Sequence, residues 1–150
     1  MNEGKRPGGL TALAVINFIL FGFGLIGLFS LVATYAGWIP TAHMTEEQKA
    51  PIEALQDMSL PLFVTILALS LISNVLLILS GIGYIGQKKM LGRVLGNAYA
   101  VISIVRSIVS GTQISSEAGG GFNFGTIIGL IYPIITLILL NTTFKDDLTN

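Results

Sequence analysis

Four long apolar stretches dominate this sequence and constrain its fold more than any motif does. They run over about residues 10–32, 60–85, 90–111 and 122–140, and the first, second and fourth contain no charged residue. Roughly 20 helical residues, each adding about 1.5 Å, cross a hydrocarbon core of about 30 Å. Lipid offers the backbone no hydrogen-bond partners, so single segments that cross it are helical. The sequence therefore predicts an all-α membrane protein, one membrane domain over residues 1–150, built as a bundle of four transmembrane helices.

The composition favours lipid over water as the main solvent of this chain. Hydrophobic residues make up 52% of its 150 residues and charged residues 11%, against about 25% charged residues in a typical soluble protein. The net charge is +0 and the eight Lys and Arg form no basic tail, so nothing points to nucleic acid as a partner. There is no cysteine, and His43 is the one histidine, which excludes thiol chemistry, iron–sulfur ligation and bis-histidine haem within the chain. We predict no catalytic residue, no metal site and no cofactor.

Basic residues are distributed unevenly among the polar segments. Lys5 and Arg6 precede the first apolar stretch, Lys88 and Lys89 lie between the second and third, and Lys145 follows the fourth. Short segments rich in Lys and Arg stay on the cytoplasmic side. The pattern predicts both termini inside, with the acidic first loop and the glycine-rich third loop outside. The first stretch exceeds the roughly 7–15 apolar residues of a signal-peptide core, so we expect it to remain as a membrane helix.

The first loop contains the signals of a short helix. Thr45 and Gln48 have the spacing of a capping box, and Pro51 suits the first turn of a helix that continues to Met58. We expect this helix to lie on the membrane surface, near Trp38 in the interfacial aromatic belt. The alternative is that the loop only connects two membrane helices.

Arg106 is the most informative residue of the third stretch. It belongs to a set of residues that recur at spacings of three and four and therefore share one helical face: Gly92, Gly96, Tyr99, Ser103, Arg106 and Ser110. An arginine at mid-membrane costs about 2.5–3.5 kcal/mol on insertion scales, and no Asp or Glu lies within any apolar stretch. The sequence therefore predicts that this polar face turns inward and that Arg106 needs a special environment.

Three environments for Arg106 stay open from the sequence. Its side chain can snorkel to the outer interface, contact an acidic group of another protein, or line the path of a substrate anion or ion. Inside the chain its candidate partners are Glu117, a helix carbonyl, Tyr132 and Tyr99. The residues that we regard as candidates for a partner contact or a path are Arg106, Tyr99, Ser103, Asn97, Asn74, Asn17 and Tyr132.

Small residues in the apolar stretches favour close helix packing. The run from Gly22 through Gly24 to Gly27 matches the dinucleotide-binding pattern G-x-G-x-x-G. That fingerprint requires a preceding strand and a later acidic residue, whereas this run lies inside an uncharged membrane stretch, where small residues let helices approach. The candidate helix-packing residues are Gly22, Gly24, Gly27, Gly92, Gly96, Gly125 and Gly129.

Three short blocks resemble a group of uncharacterised small bacterial membrane proteins. They are the opening Arg6-Pro7-Gly8-Gly9-Leu10-Thr11-Ala12-Leu13-Ala14-Val15, the segment Gly81-Ile82-Gly83-Tyr84 followed by Lys88-Lys89, and the stretch from Tyr132-Pro133 to Leu139-Leu140-Asn141. The resemblance implies a multi-pass, four-helix protein of the bacterial inner membrane and carries no activity with it.

Two functions follow from these features. The first is a non-catalytic accessory or assembly subunit of a larger bacterial membrane complex, since Arg106 and the small-residue faces need neighbours and no catalytic constellation exists. Its partners would be the lipid bilayer and either another protein or further copies of the chain. The alternative is a small oligomeric transporter or channel for a small solute or ion, with Arg106 on the path.

Overall fold

The fold is described by a computed structural model that covers residues 8–117 and 124–148, with side chains within 8–109 and 129–148. Every regular element in this part of the chain is helical, which confirms the predicted all-α class. The helices are α1 (Gly8–Tyr35), α2 (Glu46–Gln56), α3 (Leu60–Ile85), α4 (Leu95–Glu117, preceded by a π-helical segment, Lys89–Val94) and α5 (Phe124–Asn141). Lys5, Arg6 and the glycine-rich third loop lie outside the described residues.

Glycine and proline set the limits of the long helices. After α1, the Gly37 N–H bonds to the Thr34 carbonyl and the Trp38 N–H bonds to the Ala33 carbonyl. This is the Schellman pattern, which needs a left-handed residue at the position of Gly37, whose φ is 72°. At the start of α3, Pro61 occupies the first turn, where its missing N–H costs no helical hydrogen bond.

The predicted short helix of the first loop is present, but it begins earlier than Pro51. Helix α2 starts at Glu46 because the capping box at Thr45 sets its first turn, with the Thr45 N–H donating to Gln48 Oε1 at 3.1 Å. Pro51 lies inside the helix, so its predicted place in the first turn is wrong. On the exposed face, the hydrogen bond and charge of Glu46, 2.9 Å from Lys49 Nζ, raise the pKa of Lys49.

The four long helices are arranged in chain order. Helix α1 packs on α3, α3 on α4, and α4 on α5. At one end, the Tyr84 end, a buried cluster joins α1, α3, α5 and the segment after α5; it comprises Leu10, Leu13, Ala14, Tyr84, Leu140, Phe144 and Leu148. At the other, the α2 end, the buried residues Leu55, Met58, Phe63 and Ile66 pack against Leu31 and Val109. Helix α2 thus lies against the ends of α1 and α4.

Backbones come closest where α3 meets the π-helical segment. A Cβ atom added at Gly83 would lie against the backbone of Leu91 and Gly92. The π-helical turns widen the helix locally and place Gly92 opposite Gly83. The short loop of residues 86–88 connects α3 to the π-helical segment. The close approach of Gly83 and Gly92 holds this segment, and with it the start of α4, next to the end of α3.

Large apolar side chains lie on the outside of every long helix, and polar ones lie inside. Phe23 is 67% exposed and Phe29 68% exposed, whereas Asn17, Ser80 and Thr136 are fully buried. Two helices among the described residues, α1 and α3, are long and apolar enough to cross a membrane, and Gly129–Asn141 is a shorter apolar helical stretch. Two of the four predicted spans thus have the required length and composition.

Candidate functional site: a polar cavity around Arg106

A cavity of about 530 Å³ lies among α1, α3, α4 and α5. This volume is within the range of about 300–1,000 Å³ that is typical of small-molecule sites. Its polar lining comes from three of the four helices: Ser70, Ser73, Asn74, Tyr99, Ser103, Arg106, Ser107 and Tyr132. The cavity therefore combines many hydrogen-bonding groups with one permanent charge.

Helical spacing explains why these polar residues meet. Ser70, Ser73 and Asn74 lie three and four positions apart on α3, and Tyr99, Ser103 and Arg106 repeat the same spacing on α4. Residues at these spacings share one face, and the two faces oppose each other because α3 packs against α4. The prediction that the polar face of the third stretch turns inward is therefore met by Tyr99, Ser103 and Arg106.

Arg106 reaches across the interface between α4 and α3. Its Nη1 atom donates a hydrogen bond to Ser70 Oγ at 3.3 Å, in a half-buried position. Among the described side chains no carboxylate lies within ion-pair distance of it, and the one ion pair found there is Lys49–Glu46. The described acceptor is thus Ser70 rather than Tyr99 or Tyr132, which line the same cavity, while the side chain of Glu117 lies outside the described residues.

Two polar atoms of α3 in the cavity wall have no partner in the described part of the chain. Ser73 Oγ and Asn74 Oδ1 are buried and accept or donate no hydrogen bond there. The amide nitrogen of Asn74 is occupied, since it donates to the Ser70 carbonyl at 3.0 Å. A buried polar group without a partner costs about 1–3 kcal/mol, so these two atoms are a local cost in the packing of α3 beside the cavity.

A hydrogen-bonded group around Asn17 closes the cavity towards the Tyr84 end. Asn17 Nδ2 donates to the Leu77 carbonyl at 3.1 Å and to Ser80 Oγ at 2.8 Å. Its Oδ1 accepts a hydrogen bond from the Tyr132 hydroxyl, and the Tyr132 ring lies 6.3 Å from that of Tyr99. Asn17 does not line the cavity itself. It joins α1 to α3 and α5 directly beneath it.

Pro133 of α5 leaves a backbone carbonyl group available for hydrogen bonding in the cavity wall. Pro133 has no N–H, so the carbonyl of Gly129, four residues earlier, loses its usual helical partner. Ser107 Oγ lies 3.5 Å from that carbonyl and donates to it. Pro133, Gly129 and Ser107 all line the cavity, which places the break in the helical hydrogen bonding at the cavity wall.

Asn97, the remaining candidate for a partner contact or a path, does not line the cavity. Asn97 exchanges two hydrogen bonds with Asn141, at 3.2 and 2.9 Å, in an exposed position between α4 and α5. This reciprocal amide pair is at the Tyr84 end and away from the cavity. Its geometry is that of a link between two helices.

The candidate packing glycines differ in their surroundings. Gly24, Gly27 and Gly129 line the cavity, and a Cβ at Gly24 would collide with the Asn74 amide. Gly92 and Gly96 pack against Tyr84 at the other end, whereas a Cβ at Gly22 or Gly27 would meet nothing within 4 Å. The surroundings of Gly125 lie outside the described residues.

Several residues of the cavity and of the helix contacts were not among the sequence candidates. Ser70, Ser73 and Ser107 line the cavity but are small and common, so no single one stands out in the sequence. Their spacing could have identified them. Ser70, Ser73 and Asn74 lie three and four positions apart, as do the polar residues on the helical face of Arg106. Gly83 was also missed as a packing residue, since its role depends on a partner helix.

The described lining of the cavity combines a cation with neutral hydrogen-bonding groups. Its lining supplies a guanidinium group, hydroxyl donors and no carboxylate. Within the described residues no three His, Asp or Glu side chains come together as metal ligands. The chain matches no protein family, and no curated protein or solved structure is significantly similar to it. The function must therefore be inferred from this cavity.

Proposed function

We propose that the chain is a four-span membrane protein, with both termini in the cytoplasm, that binds a small anionic ligand in its interhelical cavity as a transporter-type protein. The observation that carries this proposal is the position of Arg106. It is bonded to Ser70 inside the bundle, beside two unpartnered polar atoms of α3. A cation in such a setting binds an oxyanion through charge-assisted hydrogen bonds.

The membrane assignment is supported by the large apolar side chains on the outside of the bundle and the polar side chains buried inside it. Patches of exposed apolar surface this extensive are unusual in soluble monomers. Helix α4 has 23 residues and α5 has 18, which give lengths of about 34 and 27 Å at about 1.5 Å per residue. Both therefore reach across most of a bilayer. The polar residues of α4 line the cavity, while its exposed side carries Val101, Val105 and Ile108.

The positions of the basic residues support the orientation. Lys88 and Lys89 lie at the Tyr84 end, as does Lys145 after α5, and the positive-inside rule assigns that end to the cytoplasm. Helix α2 then lies on the outer surface. The cavity is formed by the second half of α1 and residues Gly129–Pro133 of α5, so it occupies the outer half of the bundle.

The same position of Arg106 weakens the argument for an accessory subunit. That hypothesis depends on an arginine that faces a partner protein, whereas this side chain contacts Ser70 and lines an internal cavity. The exposed apolar faces fit lipid as well as they fit another protein. The subunit hypothesis stays a prediction, and the mass of the particle extracted from native membranes tests it.

A stability assay with paired arginine variants tests anion binding. The full chain in zwitterionic lipid nanodiscs is heated with chloride, acetate, glycerol phosphate or lysophosphatidate, an anionic single-chain lipid. A ligand at 100 times its Kd stabilises a protein by about 2.7 kcal/mol, so we expect at least one of these anions to raise Tm. Arg106→Gln should abolish the rise, and Arg93→Gln is the matched control because Arg93 is half-buried but outside the cavity.

The two arginine variants separate a specific site from a general effect of salt. The proposal requires that Arg93→Gln keep the anion response of the unmodified chain. An equal response of Arg106→Gln, or no response of the unmodified chain to any of the four anions, would refute binding at this cavity.

A further inference from the structure

The cavity has two chemically different walls. Helices α3 and α4 supply the serines, Asn74 and Arg106, while α1 supplies Leu20, Phe23, Leu28 and Leu31. A small inorganic anion would use only the polar wall and would leave its other side against hydrocarbon. An occupant with one anionic end and one apolar end satisfies both walls.

The cavity reaches the lipid-facing surface along α1. Phe23 and Gly27 line it, yet Phe23 is 67% exposed and Gly27 is also exposed. A side chain at Gly27 would meet nothing within 4 Å, so this position forms an open edge. Both residues belong to the uncharged stretch of α1 that is apolar enough to cross a membrane. The opening therefore faces the acyl chains of the bilayer.

The described packing favours this lateral opening over an axial one. Helices α1 and α5 are joined at the Tyr84 end by the hydrogen bond between Asn17 and Tyr132 and by the cluster around Leu10 and Leu140. At the α2 end, the cluster of Leu55, Met58, Phe63 and Ile66 with Leu31 covers α1 and α3. Between these two ends, the walls contributed by α1 and α5 contain glycines, Gly27 and Gly129.

We infer that the occupant is an amphiphile with a phosphate or carboxylate headgroup, which reaches Arg106 sideways from the bilayer past Gly27. This inference rests on the proposed anion-binding function and names its ligand class. The headgroup oxygens accept from Arg106 and from the hydroxyls of Ser70 and Ser103. The tail lies along Phe23 and Leu28 and continues into the lipid. No water-filled path through the bilayer is needed, since the ligand is already in the membrane.

Native mass spectrometry of the full chain in mild detergent tests the ligand class with three probes. Myristoyl lysophosphatidate has the anionic headgroup and a tail, glycerol phosphate has the headgroup alone, and myristoyl lysophosphatidylcholine has the tail with a zwitterionic headgroup. We expect an adduct with lysophosphatidate, and glycerol phosphate binding weaker by about 100-fold or more because it lacks the buried chain. The zwitterionic lipid should bind about tenfold or more weakly, since its phosphodiester carries one negative charge next to a choline cation, whereas the phosphate monoester of lysophosphatidate carries about −1.5 to −2.

Two pairs of variants test the position of the ligand. Arg106→Gln should weaken the lysophosphatidate adduct by about tenfold or more, and Arg93→Gln should not. Gly27→Phe should fill the opening and weaken the adduct, whereas Gly22→Phe, on the same helix with the same open surroundings but outside the cavity, should leave it unchanged. Thermal unfolding of each variant shows whether it is folded, and Gly27→Leu replaces Gly27→Phe if the larger side chain prevents folding.

The outcomes distinguish this inference from the proposed function. Arg106-dependent binding of glycerol phosphate as strong as that of lysophosphatidate would overturn the amphiphile and keep the anion site. An adduct that Arg106→Gln removes but a folded Gly27 variant keeps would overturn the lateral route. Binding of neither anion, or binding that Arg106→Gln leaves unchanged, would overturn the inference together with the proposed function.

Discussion

Arg106 of α4 donates a hydrogen bond to Ser70 of α3, 36 positions earlier in the chain, at 3.3 Å. Arg106 forms no ion pair with a carboxylate among the described side chains. The pair holds the guanidinium at the wall of an internal cavity and leaves it available to an anion.

Replacing Ser70 should lower the stability of the bundle. In Ser70→Ala the guanidinium loses its described acceptor, and removing one partner of a hydrogen bond to a charged group costs about 1–3 kcal/mol. The free energy of unfolding, measured by denaturant titration in lipid, should fall by this order. Thr65→Ala is the control, because the Thr65 hydroxyl bonds only to the Pro61 carbonyl of its own helix at an exposed position. Equal effects of the two variants would show that the contact contributes nothing.

Replacing Asn17 should loosen the attachment of α1. Asn17→Leu keeps the side-chain size but removes its hydrogen bonds to Leu77, Ser80 and Tyr132. Hydrogen bonds between membrane helices average about 0.6 kcal/mol, so the loss should be about 2 kcal/mol. Asn97→Leu, which removes the exposed pair with Asn141, should cost less. A Tm that falls more for Asn97→Leu than for Asn17→Leu would contradict the role of Asn17.

Glycine-to-alanine changes should have opposite signs at two positions. Gly83→Ala forces a methyl group against the backbone of Leu91 and Gly92, and overpacking of this kind costs about 1–3 kcal/mol. Gly22→Ala meets nothing within 4 Å and should gain about 0.5–1 kcal/mol of helix stability. Thermal unfolding in detergent compares the two, and a stable Gly83→Ala would mean that α3 and the π-helical segment do not approach so closely.

Single cysteines can report the orientation, since the chain has none of its own. His43 and Thr143 are both exposed and lie at opposite ends of the bundle. In intact cells, or in spheroplasts of cells with an outer membrane, a membrane-impermeant maleimide should label His43→Cys. Thr143→Cys should be labelled only after the membrane is opened. The reverse pattern would invert the topology, and labelling of both from outside would remove one span from the proposed four.

The sequence was sufficient to predict the helices but not how their faces meet. The charge-free stretches gave α1 and α3 to within three residues at each end, because a membrane helix depends mainly on length and apolarity. The start of α4 was predicted less accurately, at about residue 90. The helix begins at Leu95, because a π-helical segment over Lys89–Val94 precedes it. That irregularity accompanies the contact between Gly83 and Gly92, and a contact between two helices leaves no periodic signal in either one.

The candidate site was predictable on one wall only. The spacing of Tyr99, Ser103 and Arg106 was enough to assign them to one inward face, because that pattern belongs to a single helix. The pairing of Arg106 with Ser70 depends on the rotation and register of α3 against α4, which no local pattern determines. The pairing of Asn97 with Asn141 was likewise not predictable from the sequence, because it depends on how α4 packs against α5.

The most direct test of the central claim is the side-chain NMR signal of Arg106. The chain contains three arginines, Arg6, Arg93 and Arg106, so their Nε–H resonances in zwitterionic nanodiscs can be assigned with single variants. On titration with lysophosphatidate, we expect a saturable shift of the Arg106 resonance while Arg93 stays in place. Lysophosphatidylcholine should cause this shift only at concentrations about tenfold or more higher. An Arg106 resonance that does not move, or that moves only together with Arg6 and Arg93, would contradict an anion site inside the bundle.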